Sequence, residues 1–133
     1  EHLEALLPYI NTIYADLKLV DHERHKKYCG VDNELIMNNL LAADRAEGRF
    51  RMVIRTPVIP GINDSEEELN RIGAFCAGLK RLEYVQLLPY HKLGTETYKK
   101  LGRPYLLEDV QSPTAEHMEH CRSIVRQYVP KVL

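Results

Sequence analysis

The sequence predicts an α/β fold, with three short parallel strands and helices on one face of the sheet. Two observations carry the prediction. Apolar residues recur at helical spacing in four stretches, and three short β-branched runs alternate with them along the chain. The segments between the strands are also long enough for the right-handed crossovers that parallel pairing requires. The length of 133 residues, 44% hydrophobic and 28% charged, suits one ordinary domain and excludes a disordered or collagen-like chain.

Leu3, Leu6, Leu7 and Ile10 fall on one face, so Glu1 to about Asn11 reads as an amphipathic helix. The first strand is Ile13–Leu19. The charge-dense stretch Val20–Gly30 reads as a loop or a short irregular helix. Asp32 or Asn33 caps the next helix, which carries Leu35, Ile36 and Leu40 and stops at Gly48. The second strand, Phe50–Thr56, is ended by Pro57 and the turn Pro60-Gly61-Ile62-Asn63-Asp64.

Asp64 or Ser65 then caps a helix whose first turn is Glu66-Glu67-Glu68, the charge that a helix N-terminus prefers. Its apolar stripe is Leu69, Ile72, Phe75 and Leu79. The third strand is Glu83–Leu88, closed by Pro89. A polar segment from Tyr90 to about Gln111 is longer than most loops in compact domains, which marks it as functional or mobile. Ser112-Pro113-Thr114 opens the last helix, which runs through Met118, Cys121, Ile124 and Val125 to about Tyr128. Three strands make a small sheet. A compact layered domain and a piece of a larger barrel both satisfy the pattern.

Composition narrows the function. Eighteen basic against 19 acidic residues give a formal net charge of −1 with no basic run, which argues against an electrostatic nucleic-acid binder. No apolar stretch approaches the ~20 residues of a membrane span. Cys29, Cys76 and Cys121 are odd in number and widely spaced, so neither a disulfide framework nor a local zinc or cluster loop is expected. Cys76 reads as a small core hydrophobe, and a reducing cytoplasmic compartment is expected. The His22/His25 and His117/His120 pairs lack a third ligand at metal spacing, and no metal site is predicted.

Ligand sites in α/β folds gather at the C-terminal ends of the strands. The polar groups there are Asp16 and Lys18 on the first strand, Arg55 on the second, and His91 just past the third. Asp16 and Lys18 lie two apart and so share one face of the strand. A carboxylate suits an amino group, and Lys and Arg suit a carboxylate, so the set fits a zwitterionic or anionic small ligand. A solvated Asp-x-Lys ion pair, an edge arginine and a surface histidine are the competing account. In a barrel fragment, the face bearing Asp16, Lys18, Arg51, Val53 and Arg55 would lack its covering strands and stay accessible.

Three longer stretches complete the picture: Asp16-Leu17-Lys18 followed by Asp21, His25 and Gly30-Val31-Asp32-Asn33; Ile54-Arg55-Thr56-Pro57-Val58-Ile59-Pro60-Gly61-Ile62-Asn63-Asp64; and Leu87-Leu88-Pro89-Tyr90-His91-Lys92-Leu93-Gly94. Tyr98-Lys99-Lys100-Leu101-Gly102 and Tyr105 lie downstream of them. In this order the segments resemble the C-terminal half of the glycyl radical enzyme activating enzymes, the pyruvate formate-lyase activating enzyme-like branch of the radical S-adenosylmethionine superfamily. The resemblance covers nearly all of residues 1–133.

It implies a partial TIM-type barrel of which this chain supplies the last three βα units, with the N-terminal, cluster-binding half absent. It implies an oxidoreductase that uses S-adenosylmethionine and a [4Fe–4S] cluster to make a glycyl radical on a partner enzyme, in an anaerobic cytoplasm. Flavodoxin or ferredoxin would be the electron donor. By carry-over, Asp16 and Lys18 would lie near the cofactor's methionine moiety, Arg55 would contribute from the fifth strand, and His91 would contact its ribose or adenine side. The family's C-x3-C-x2-C cluster motif and its Gly-rich amino-group segment are not in this sequence. The chain alone is therefore expected to be inactive, and its start at Glu1 reads as a cut before the fourth barrel strand. Another radical S-adenosylmethionine subfamily would share these features. Outside enzymes, the same sequence suits a non-catalytic half-barrel module that binds a small anionic ligand or another chain. Its open face would also offer self-association.

Overall fold

The computed structural model describes residues 5–92 and 95–133. Three parallel strands, β1 (Thr12–Asp16), β2 (Arg51–Val58) and β3 (Leu82–Pro89), form one sheet in the order β1-β2-β3. Among the described residues, five α-helices accompany them after β1: α1 (His22–Cys29), α2 (Glu34–Arg45), α3 (Glu66–Ala77), α4 (Thr95–Lys100) and α5 (Ala115–Val125). One face of the sheet carries Ile13 and Ala15, Met52, Ile54 and Val58, and Val85 and Leu87, which pack against apolar residues of α2, α3 and α5. Leu69, Ile72 and Cys76 from α3 and Cys121 and Val125 from α5 are wholly buried there. Each such Leu, Ile or Val contributes about 1.5–3 kcal/mol of transfer free energy, which holds the layer together.

The other face is polar and largely uncovered, as expected of a barrel fragment. Asp16, Lys18 and Arg51 are exposed and Arg55 half-buried. Val53 is the exception. It is fully buried because Tyr14 and Tyr84 flank it in register on the neighbouring strands.

Several elements differ from their sequence expectations. Of the helix expected over Glu1–Asn11, residues 1–4 lie outside the described residues, Ala5 and Leu6 are helical as expected, and Leu7–Tyr9 tighten into a 3-10 turn around Pro8. The first strand ends at Asp16, three residues short of Leu19. Where a loop or irregular helix is expected after it, the chain forms the regular helix α1. Asp21 Oδ1 accepts the Arg24 N–H at 2.9 Å, and Gly30 closes the helix in the left-handed region at φ 81°. Ser65 rather than Asp64 caps α3, and Asp32 rather than Asn33 supplies the cap bond of α2, to the Glu34 N–H at 3.0 Å. The polar segment after β3 contains α4, a helix too short and too polar to show an apolar stripe.

Two devices fasten the ends of the sheet. At the N-terminal end, Arg81 donates to the carbonyls of Asp44 (3.2 Å) and Gly48 (2.8 Å), while its guanidinium sits 4.5 Å from the Phe50 ring centroid. At the outer edge of β3, the tail residues Lys131–Leu133 exchange backbone bonds with Val85 and Leu87. Among the described residues, no strand pairs with the outer edge of β1.

Candidate functional site at the strand ends

The parallel register sets Asp16 beside Arg55, and Arg55 beside Gln86, on the uncovered face. The Arg55 guanidinium donates to Asp16 Oδ1 through Nη2 at 2.8 Å and Nε at 3.0 Å, and it lies 5.8 Å from the Tyr14 ring centroid. Both arginine donors converge on one carboxylate oxygen, and Oδ2 takes part in neither bond. The carboxylate thus pairs with the guanidinium across the strands rather than with Lys18, which lies beyond the end of β1 and not on the strand as expected. Lys18, two residues on, is exposed and forms one wall of a cavity of about 380 Å³. His91 is also exposed. It comes directly after Tyr90, whose N–H bonds the Val58 carbonyl at 3.2 Å, and it makes no hydrogen bond to Asp16, Lys18 or Arg55.

The cavity lies between the end of α1, the turn after β2 and the segment after α4. Tyr28, Pro57, Ile59, Tyr98 and Leu107 make its walls mainly apolar, and Lys18 and Lys27 are its charged groups. Tyr90 holds the far wall in place. Its hydroxyl bonds the Tyr105 hydroxyl and donates to the Leu107 carbonyl at 3.3 Å, while Tyr98 packs edge-on against Tyr105 with centroids 5.1 Å apart. Loss of hydration, reinforced by the bond to Tyr105, pushes the Tyr90 phenol up to about 12. It stays a neutral donor at working pH. No periodicity in the sequence points to this tyrosine set as a wall, because its members are scattered through a polar segment. A larger hollow of about 580 Å³ is lined by α1, α2 and the turn between them, including Glu23, Asp32 and Glu34, and touches no strand end.

Other sequence candidates resolve into structural roles. His25 is buried, with Nδ1 2.7 Å from the Val31 carbonyl. His117 Nε2 lies 3.0 Å from Asp64 Oδ2, which ties α5 to the turn after β2 rather than leaving a merely solvated helix face. Among the described residues, no group of three or more His, Cys, Asp or Glu side chains is placed to hold a metal ion. Cys76 and Cys121 are fully buried, and burial pushes the Cys76 thiol up to about 12. Cys29 is exposed. The native chain is expected to react with a thiol reagent at Cys29 alone, and with all three thiols after denaturation. A native count of two or three would contradict this packing.

No family model matches the chain. It is 39% identical to an indoleacetate decarboxylase activating enzyme of Tractidigestivibacter scatoligenes, over all of this chain and 42% of that relative. It is 32% identical to the pyruvate formate-lyase 1-activating enzyme of Escherichia coli K12, over 98% of this chain and 52% of that protein. Among solved structures, a domain of pyruvate-formate lyase-activating enzyme from Bacteroides vulgatus superposes with a TM-score of 0.78 at 29% identity, covering 98% of this chain and 71% of that one. The chain is a homologue of the glycyl radical enzyme activating enzymes. It spans about half, or less, of the length of these curated activating enzymes. A radical SAM methyltransferase from Sphaerobacter thermophilus shares the fold at 18% identity and a TM-score of 0.74.

Proposed function

We propose that residues 1–133 form the C-terminal, cofactor-facing half of a radical S-adenosylmethionine activating enzyme that generates a glycyl radical on a partner enzyme. The Asp16–Arg55 pair at the open strand ends, with Lys18 beside it, carries this reading. The methionyl part of S-adenosylmethionine presents an ammonium and a carboxylate. Asp16 Oδ2 suits the first, and Lys18 and the outer face of Arg55 suit the second. The mostly apolar cavity beside Lys18 suits a flat heteroaromatic group. His91, which does not line that cavity, is assigned to the ribose or adenine side by the resemblance alone. The donor set therefore fits this cofactor.

A [4Fe–4S] cluster does not fit the described residues, because two of the three thiols are buried in the core. Its ligands belong to a part of the protein outside these residues, and the half alone is inactive in this reading. S-adenosylmethionine would supply the hydrogen-abstracting chemistry when bound beside that cluster. This chain's residues hold and orient its amino-acid end, and the tyrosine-bound segment excludes water from one side.

The partner is a glycyl radical enzyme of the kind named for the relatives, and a flavodoxin or ferredoxin supplies the electron. The unbridged cysteines fit a reducing, anaerobic cytoplasm, and among the described residues no helix is long and apolar enough to cross a membrane. Self-association through the open sheet face would compete with the rest of the barrel. The test is to load the full-length protein with its cluster anaerobically, reduce it, and mix it with candidate partners. A backbone radical seen by electron paramagnetic resonance on one partner, lost with Asp16→Ala, supports the proposal. No 5′-deoxyadenosine and no radical with any partner overturns it.

A further inference from the structure

Immediately after Asp16 the chain leaves the sheet, and Leu17–Leu19 has no regular secondary structure although Leu17 and Leu19 are buried. Backbone carbonyls in such a segment need partners, and the sheet no longer supplies enough of them. Side chains from three other parts of the fold do so. Thr56 Oγ1 donates to the Leu17 carbonyl at 2.7 Å. Asn63 Nδ2 donates to the Lys18 carbonyl at 2.8 Å. Asn33 Nδ2 donates to the carbonyls of Leu19 at 2.7 Å and Val20 at 3.0 Å. The buried Glu68 carboxylate accepts the Val20 N–H.

Thr56, Asn33, Asn63 and Glu68 are each at most 1% exposed. Asn63 uses its whole amide, since it also donates to the Pro57 carbonyl at 2.7 Å and accepts the Ile59 N–H at 2.7 Å. It therefore ties the segment leaving β1, which carries Lys18, to the exit of β2, the strand that carries Arg55.

We infer that Asn63, with Thr56 and Asn33, is a positioning residue: a buried clamp on the Leu17–Val20 backbone that fixes Lys18 relative to Arg55 for binding of the zwitterionic ligand. This rests on the S-adenosylmethionine reading, because the clamp matters for function only if Lys18 contacts the ligand. The donors of the set are all used, on backbone carbonyls, while Asn33 Oδ1 and Glu68 Oε2 are buried without a hydrogen-bond partner among the described residues. Displacing the Asn63 amide or the Thr56 hydroxyl leaves a buried carbonyl without a donor, which holds the segment in place.

The test uses the full-length protein, with two readouts. Asn63→Asp keeps the acceptor for Ile59 but turns a lone pair toward the Lys18 and Pro57 carbonyls. Thr56→Val, nearly isosteric, removes the single bond to Leu17 and serves if Asn63→Asp does not fold. Hydrogen exchange without ligand should quicken at least tenfold at the Leu17 and Val20 amides, with the Met52 and Leu69 amides unchanged. Affinity for S-adenosylmethionine should fall at least tenfold, and the loss should vanish in a Lys18→Ala background. An additive loss in that background, or unchanged local exchange, overturns the clamp. If exchange responds while Lys18→Ala leaves affinity untouched, the clamp on the backbone stands and its link to the ligand is overturned along with the S-adenosylmethionine reading.

Discussion

Arg55→Ala is expected to weaken S-adenosylmethionine binding to the full-length protein by ten- to a hundredfold while scarcely moving the thermal midpoint. The two effects separate because the Asp16–Arg55 pair is about two-fifths exposed on both sides. An ion pair open to water contributes roughly 0–1 kcal/mol to stability, so its loss costs little. A charge-assisted hydrogen bond to a desolvated ligand contributes about 1.5–3 kcal/mol, which corresponds to that range of affinity. Removing Arg55 also frees the Asp16 carboxylate to rotate away from the position that Arg55 holds it in, the one in which the proposed site offers Oδ2 to an ammonium. Arg55→Lys keeps the charge but cannot reproduce two donors converging on one oxygen, so an intermediate loss is expected. Calorimetric titration alongside thermal melts checks the split. A lowered midpoint with unchanged affinity would move Arg55 from ligand binding to structure.

Gly73→Ala is expected to destabilise the fold by about 1–3 kcal/mol, although alanine is the better helix former. Gly73 sits inside α3 where the chain beyond α5 crosses it. A methyl group there would stand 2.5 Å from Cδ2, 2.9 Å from Cγ and 3.1 Å from Cβ of Tyr128. The Cβ and Cγ atoms are close to the main chain, so a rotamer change of Tyr128 cannot relieve all three contacts. The backbones must separate, and the core between α3 and α5 opens with them. The cost should shrink once the ring is gone. In a Tyr128→Ala background only the 3.1 Å contact to Cβ persists, so helix propensity offsets most of what is left and Gly73→Ala should come within about 1 kcal/mol of neutral. Urea unfolding of the four proteins checks this, and a neutral Gly73→Ala in the wild-type background would mean that the helices approach less closely.

The fold is legible where burial tracks chain periodicity. Met52, Ile54, Val85 and Leu87, and Leu69, Ile72 and Leu79 of the stripe expected after Ser65, face the core as their spacing predicts, while Phe75 of that stripe is only half-buried and Cys76 beside it is fully buried. It is illegible at α1, whose single buried residue is His25 and whose helical state rests on its two caps, so no apolar stripe announces it. The site divides in the same way. Asp16 and Arg55 can be placed from alternation and strand ends, whereas Lys18 lies past the end of β1, and which charge pairs with which depends on the register between β1 and β2. The sequence of either strand alone does not contain that register. Asn33 reads as a possible cap of α2, yet its amide is spent on Leu19 and Val20, and Asp32 caps in its place. Buried polar residues that serve a distant backbone look like surface residues in a sequence, because their partners are carbonyls that every residue has.

The tail pairing at β3 gives the sheet a direction. Val85 and Leu87 have their outward backbone groups occupied by Lys131–Leu133, so that margin works as a stopper. Growth of the sheet is left to β1, whose last residue is Asp16. A strand arriving there would quench the unpaired edge and, in the same act, set its own side chains next to the Asp16 carboxylate. Protection from stray self-assembly and completion of the ligand mouth would then be a single event. A mispaired edge and an empty site would be two symptoms of one failure.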